Sequence, residues 1–254
     1  VDIIEKPITP YFIKRRIGNV IQLNNLVRTQ DEMLREQAEE IRSLNSSILE
    51  TLATAIEFRD QESGEHVLRI RELTMLLLHG MMERYPQRYQ FDEEELRLIG
   101  DAAVMHDLGK IAIPDQILNK PGKLTPEEFA IMKTHTTQGC ILLDSVPQVR
   151  SNPVYDYAYD ICRHHHERWN GRGYPDGLAG DEISIWAQVV ALADVYDALV
   201  SERVYKKAFS HEKAVDMILN GECGVFNPEL MECLREMAGE MRTRYLQVRK
   251  DGKS

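Results

Sequence analysis

Long apolar runs are missing from this chain of 254 residues. No stretch approaches the roughly 18 consecutive apolar residues that a membrane-spanning helix needs, so no membrane insertion is expected. The start, Val1-Asp2-Ile3-Ile4-Glu5-Lys6-Pro7, has neither a basic n-region nor an apolar h-region, so no signal peptide is read there. A first residue that is Val rather than Met suits a fragment or a processed chain. Positive charge is scarce: 31 Lys and Arg stand against 41 Asp and Glu, a formal charge of -10. That balance argues against binding a nucleic-acid polymer, which needs a basic face. It leaves room for a small anionic substrate, because metal ions and a few local cations can supply positive charge inside an acidic protein. The four cysteines, Cys140, Cys162, Cys223 and Cys233, form no C-x-x-C pair. A zinc ribbon or a thioredoxin-like motif is thereby excluded, and the thiols read as buried, reduced residues of a cytoplasmic protein. No internal repeat and no low-complexity segment is present.

Three zones follow one another along the chain. Residues 1–10 read as a short strand, Asp2-Ile3-Ile4, and a turn containing Pro7 and Pro10, a proline spacing that no helix interior tolerates. Residues 11–58 contain no Pro and a single Gly, Gly18, and are rich in Leu, Ile, Arg, Glu and Gln, as a long helix requires. Ile13, Val20, Val27, Leu34, Ile41 and Ile48 recur every seven residues, and a second seam runs Ile17, Asn24, Asp31, Ala38, Asn45 and Leu52. This heptad predicts a parallel dimeric coiled coil, with Asn24 and Asn45 at the positions where Asn fixes register. Asp31 in that seam is the element that fits least. Residues 59–254 read as one all-α domain, with helices expected over Leu96–His106, Pro126–Leu143, Tyr155–His164, Ser184–Val200 and His211–Leu219 from their apolar spacing. Thr125-Pro126-Glu127-Glu128 is a helix start, with Thr as cap and Pro in the first turn, and Ser210 plays the same part before His211.

Histidine is the residue type that stands out. Of His66, His79, His106, His135, His164, His165, His166 and His211, six sit beside carboxylates or other histidines. Imidazole and carboxylate together suit Fe, Mn, Co, Ni or Zn rather than Ca. His106-Asp107 closes an apolar helix, and adjacent side chains there diverge by about 100°. They can therefore reach two neighbouring ions, or one carboxylate can bridge both. His164-His165-His166-Glu167 places three imidazoles in succession, which packing alone explains poorly; a helix C-terminus would account for one. His135 taken alone reads as a capped or surface histidine. Asp194 and Asp197 lie inside the apolar run Ala191–Leu199, where burial demands a metal or a salt bridge as partner. The stretch Asn170-Gly171-Arg172-Gly173-Tyr174-Pro175 is a loop without either the G-x-G-x-x-G or the Walker pattern.

Taken in order, these pieces resemble a known family. Glu62-x3-His66, His106-Asp107-x-Gly-Lys110, Ile113-Pro114-Asp115, Lys120–Thr125, His135, His165-His166-Glu167-x-x-Asn170-Gly-x-Gly-Tyr174-Pro175, Asp194-x-x-Asp197 and Arg203-x-Tyr205-Lys206 are similar to the HD-GYP subgroup of the HD phosphohydrolases over about residues 50–235. The resemblance implies an all-α HD-domain helical bundle with a GYP loop that hydrolyses cyclic di-GMP to pGpG and, on a second cut, GMP. It implies two or three divalent ions, Fe or Mn, held by His66, His106, Asp107, His135, His165, His166 and Asp194, with Glu62 as the acid tied to a third ion. It implies catalytic roles for Asp107, bridging two ions, and for Lys110, and substrate contacts from Lys110, Tyr174, Arg203 and Lys206. Asn170 departs from the Asp that many members carry there, and His79, His164 and His211 match nothing. Residues 1–10 with the helix that follows resemble the last strand, Lys-Pro turn and last helix of a receiver domain of response regulators, which would make the chain an output module of a signalling protein. Three alternatives stay open: an HD enzyme for another nucleotide, an oxygenase on the same fold, and a non-catalytic cyclic di-GMP sensor signalling through the coiled coil.

Overall fold

The structure is a computed structural model that describes residues 10–60, 64–202 and 207–251. The expected strand and turn before Pro10, and the expected site residues Glu62, Arg203 and Lys206, lie outside the described residues. The chain divides into two units, residues 1–48 and 49–254.

The first unit carries most of one helix, α1 (Pro10–Glu57), which opens on a proline, the residue pre-set for a first helical turn. Within this single chain Val20, Val27, Leu34, Ile41 and Ile48 are each about half exposed, an apolar stripe along one face.

The second unit is a helical bundle. Its elements are the end of α1, α2 (Glu65–Arg84), α3 (Glu93–Ala103), α4 (Asp115–Leu118), α5 (Pro126–Lys133), α6 (His135–Asp144), α7 (Pro147–Arg150), α8 (Val154–His164), α9 (Ile185–Val200), α10 (His211–Leu219) and α11 (Pro228–Asp251). Among the described residues there is no strand, only an isolated bridge between Asn170 and Ala179. None of their helices is long and apolar enough to cross a membrane.

Helix α2 is the axis of the bundle and packs on α3, α9 and α11. Val67, Ile70, Leu73, Leu77, Leu78 and Met81 recur at helical spacing and are all fully buried, each stabilising the fold by about 1.5–3 kcal/mol relative to exposure. Helix α9 is buried along the small Ala187, Ala191 and Ala193 as well as Val189, Val190 and Leu192. The expected helix starts are present. Thr125 and Glu128 form a reciprocal capping box ahead of α5, and the Ser210 hydroxyl accepts from the Lys213 amide.

Two expectations about helices are corrected. Pro126–Leu143 is not one helix: it breaks at Thr134, whose hydroxyl donates to the Ile131 carbonyl at 2.7 Å, while His135 Nδ1 donates to Met132 at 2.8 Å. Side-chain bonds of this kind compete with the helical ladder. The helix expected over Leu96–His106 instead spans Glu93–Ala103, starting earlier because Asp92 and Glu95 cap it, and leaves His106 and Asp107 in the turn beyond it.

Candidate metal centre

The turn after α3 is short, and its geometry fixes the site. His106 Nδ1 donates back to the Ala103 carbonyl at 2.9 Å, which aims Nε2 inward. The chain then passes against the start of α6 at Gly109, where a Cβ would collide with the His135 carbonyl and the Gly139 amide. Only glycine permits that approach, and the approach brings Asp107 up to His135. The break at Thr134 turns His135 toward the same point. From the C-terminal end of α8, His165 Nδ1 donates to the Ile161 carbonyl at 2.9 Å.

Three imidazoles therefore spend their Nδ1 protons on backbone carbonyls and turn Nε2 inward, where it is a ligand atom whenever the ring is neutral. His66 is oriented by a carboxylate instead: its Nδ1 lies 2.7 Å from Asp197 Oδ2. Such outer partners fix tautomer and ring orientation in metal sites. Asp197 is held in turn by Arg69, through a short bond from Nε to Oδ1 and one of 3.1 Å from Nη2 to Oδ2. Of the two partners open to a buried acid in α9, Asp197 has the salt bridge.

The inward atoms converge in two groups that share one residue. Asp107, His135, His165 and His166 form one, and His66, His106 and Asp107 the other. Asp107 Oδ1 lies 3.3 Å from His135 Nε2 and 3.8 Å from His165 Nε2, while Oδ2 lies 3.2 Å from His106 Nε2. One carboxylate thus offers an oxygen to each group. The Nε2 atoms of His135 and His165 stand 3.4 Å apart with no proton between them, a repulsive arrangement unless a cation lies there. That spacing is the one expected for two nitrogens each about 2.1 Å from a single ion. His106 Nε2 and Asp107 Oδ1 are buried without a hydrogen-bond partner, which costs free energy unless something binds them. The residues fit divalent metal on every one of these observations.

The electrostatics agree. Burial depresses the basicity of His165 to a pKa of about 3, and it lowers His166 and His135 as well. Those rings are neutral and ready to ligate at pH 7. Burial alone would push the Asp107 carboxyl up, but the Lys110 ammonium and His106 hold it well below the usual carboxylate range. His106 is raised: its own burial opposes the shift and Asp107 outweighs it.

Asp194, half-buried on α9, exerts its charge on His106, His165, Arg168 and Tyr174 from outside the two tight groups. Lys110 Nζ contacts Asp107 Oδ2 at 2.9 Å and Glu57 Oε2 at 4.0 Å, and makes a short bond to Asp60. Arg59 grips the same segment, donating to the carbonyls of Lys110, Ile111 and Ile113 and to Asp115. Glu57, Arg59 and Asp60 carry no motif in the sequence, and nothing in their spacing distinguishes them from a helix end.

The glycine-rich loop folds back over the end of α8. Tyr174, before a cis proline, lays its ring against His166 at 4.7 Å between centroids and 32°. Glu167 holds the loop by accepting from the amides of Asp176 at 2.7 Å and Gly177 at 2.9 Å. Gly173 passes so near the Glu167 and Arg168 backbone that a side chain there has no space. Asn170 accepts from the Arg172 amide at 3.2 Å, a turn contact that an Asp carboxylate would make equally well. The three histidines outside the expected set have other partners. His164 lies between Asp160 at 2.6 Å and Asp176 at 3.0 Å, His211 pairs with the Tyr196 hydroxyl, and His79 with the Met75 carbonyl.

Comparison with known proteins places this geometry. The chain is 36% identical over 242 residues to a protein of Vibrio cholerae named a probable cyclic di-GMP phosphodiesterase, across 91% of this chain and 55% of that one. It is 36% identical over 245 residues to the cyclic di-GMP phosphodiesterase response regulator RpfG of Xanthomonas campestris, across 92% of this chain and 61% of that one. The chain thus spans little more than half the length of these curated relatives. Among solved structures, a cyclic GMP-AMP specific phosphodiesterase of V. cholerae shares the fold, with a TM-score of 0.53 at 19% identity over 79% of this chain and 50% of that one. The HD domain family matches residues 24–230, well over half of the sequence and including every imidazole of the two groups, and the chain belongs to that family.

Proposed function

We propose that this chain is a divalent-metal-dependent phosphodiesterase that opens cyclic di-GMP to linear pGpG and cuts again to GMP. The observation that carries the reading is the Asp107 carboxylate, which offers one oxygen to each of two buried imidazole groups and touches Lys110 beside them. The curated relatives' names support the substrate class.

His66, His106, Asp107, His135, His165, His166 and Asp194 would hold the ions, Fe or Mn, two in number or three with Glu62. Ions bound there supply Lewis acidity toward a phosphoryl oxygen and acidify water near neutral pH. Lys110 is placed to stabilise charge on the phosphate or to protonate the leaving ribose oxygen. Tyr174, packed on His166 and partly exposed, would contact a guanine of the substrate with the ring surface left open. Burial pushes its phenol up, so it stays protonated. Arg203 suits a bidentate phosphate contact, with Lys206 as a second cation. Asp107 and His165 are buried, and the low polarity of a buried site strengthens electrostatic interactions made there.

The exposed stripe Val20, Val27, Leu34, Ile41 and Ile48 on α1 supports a homodimer through residues 11–58. The Asp2–Pro7 pattern supports a receiver-like domain as the element before it.

The test is metal analysis of protein purified without oxygen, coupled to chromatography of cyclic di-GMP and 3'3'-cyclic GMP-AMP digests. The expected result is at least two ions per chain, pGpG as first product, and loss of both with Asp107→Asn. Metal-free protein that binds cyclic di-GMP and stays inactive after reconstitution with Fe(II) or Mn(II) is a sensor, and refutes the reading.

A further inference from the structure

The machinery above engages one phosphate and one base, whereas a cyclic dinucleotide has two of each. The structure offers a further pair of side chains at the same rim. Helix α5 runs past the glycine-rich loop and presents Phe129 and Lys133, one helical turn apart. Phe129 meets the Tyr174 ring edge-on at 6.2 Å and 84°, and remains 46% exposed. Lys133 Nζ lies 5.5 Å from the Phe129 ring centroid and 5.8 Å from that of Tyr174. Tyr174 itself stacks on His166. The sequence metal group–His166–Tyr174–Phe129/Lys133 is therefore continuous, running from the buried ligands outward.

Two features of this pair bear on what it contacts. Phe129 is 46% exposed although it contacts Tyr174 and carries Lys133 over its ring, so it leaves aromatic surface open against which a purine can pack. Lys133 has no carboxylate within ion-pair distance among the described residues, whereas Lys110 is shared among Glu57, Asp60 and Asp107. Resting on two aromatic faces holds the ammonium in place by cation–π attraction without neutralising it. A positioned cation with no counterion among the described residues, in a chain of net charge -10, is suited to an anion that arrives with the substrate.

We infer that Phe129 and Lys133 form a second substrate arm, which takes the half of a cyclic dinucleotide remote from the bond being cut: Phe129 against its purine and Lys133 against its phosphate. The inference rests on the phosphodiesterase reading and adds the residues that select a two-base substrate over a small phosphodiester.

Steady-state kinetics on the metal-loaded protein test it, with cyclic di-GMP and bis(p-nitrophenyl) phosphate as paired substrates. Phe129→Ala and Lys133→Met are each expected to lower the preference for cyclic di-GMP, measured as the ratio of the two kcat/KM values, about tenfold or more. The loss should appear in KM for cyclic di-GMP rather than in kcat, and Phe129→Tyr and Lys133→Arg should restore most of it. An unchanged ratio overturns the arm, whether both substrates are unaffected or both fall in parallel. Wild-type protein that cleaves bis(p-nitrophenyl) phosphate but not cyclic di-GMP overturns the parent reading, and the arm with it.

Discussion

Replacing Asp197 by Asn probes how this site is supported. Asp197, His66 and Arg69 are all at least 97% buried. The carboxylate takes a bond from Arg69 Nη2 at 3.1 Å, a shorter one from Nε, one from Ser201 Oγ at 3.3 Å, and faces His66 Nδ1 at 2.7 Å. Asn preserves the shape and deletes the charge, leaving the Arg69 guanidinium buried against a neutral amide. Removing one partner of a buried pair costs about 3–5 kcal/mol. Glu65, 3.3 Å from Arg69 Nη1, and the Tyr245 ring, 5.3 Å from the guanidinium carbon, relieve part of that charge, so the lower end, ~3 kcal/mol, applies. At roughly 2–4 °C per kcal/mol for a domain of this size, melting should fall by about 6–12 °C. Loss of the carboxylate also frees the His66 ring, and outer partners of this kind are worth about 10–100-fold in metal affinity. Calorimetry of metal-free protein at pH 7 reads the first effect, and metal titration reads the second. Burial alone would raise the Asp197 carboxyl, but His66 and Arg69 hold it far below the usual range. Its contribution is therefore complete above the unfolded carboxylate pKa of about 4 and is lost as pH falls toward the folded value. The gap between wild type and variant should narrow only below about pH 4. A variant that melts within about 1 °C of wild type at pH 7 would refute the reasoning, as would a gap that closes between pH 7 and 5.

Three further outcomes are expected. Gly109→Ala drives a methyl group into the His135 carbonyl and should destabilise the domain by about 3 kcal/mol or more in urea unfolding; near wild-type stability would show that the turn can move away from α6. Arg59→Ala releases the carbonyls of Lys110, Ile111 and Ile113 and should cut kcat about tenfold or more by misplacing Lys110, with bound metal unchanged by elemental analysis; kcat within twofold of wild type would count against this positioning role. His165→Ala should lose bound metal, whereas His164→Ala should keep it and loosen only the loop that Asp176 anchors; equal metal loss in both would contradict the assignment of the two neighbours.

The all-α class of residues 59–254 was legible from helical spacing, because burying one face of a helix requires apolar residues at that period. The caps at Thr125 and Ser210 were legible too, because capping is a contact between residues three apart. So was the ambiguity of Asp194 and Asp197: the sequence showed that each needed a partner, and the fold supplied Arg69 and His66 to Asp197. The split of α5 from α6 was not legible. Its cause is a choice by Thr134 and His135 to bond backward, made where Gly109 crosses the helix start. Lys110 was singled out from the sequence, yet its partners Glu57 and Asp60 lie about fifty residues upstream at the end of a helix whose heptad gives no sign of them.

By itself, then, the sequence determined the elements and the kinds of atom available for chemistry, because periodicity, capping and side-chain type are local properties. Only the tertiary structure decided how closely the implied ligands gather, how the two oxygens of Asp107 divide between two groups of imidazoles, and that Phe129 and Lys133 contact Tyr174. Those are distances between segments far apart in the chain, fixed by the packing of α2, α3, α6, α8 and α9 around a common core.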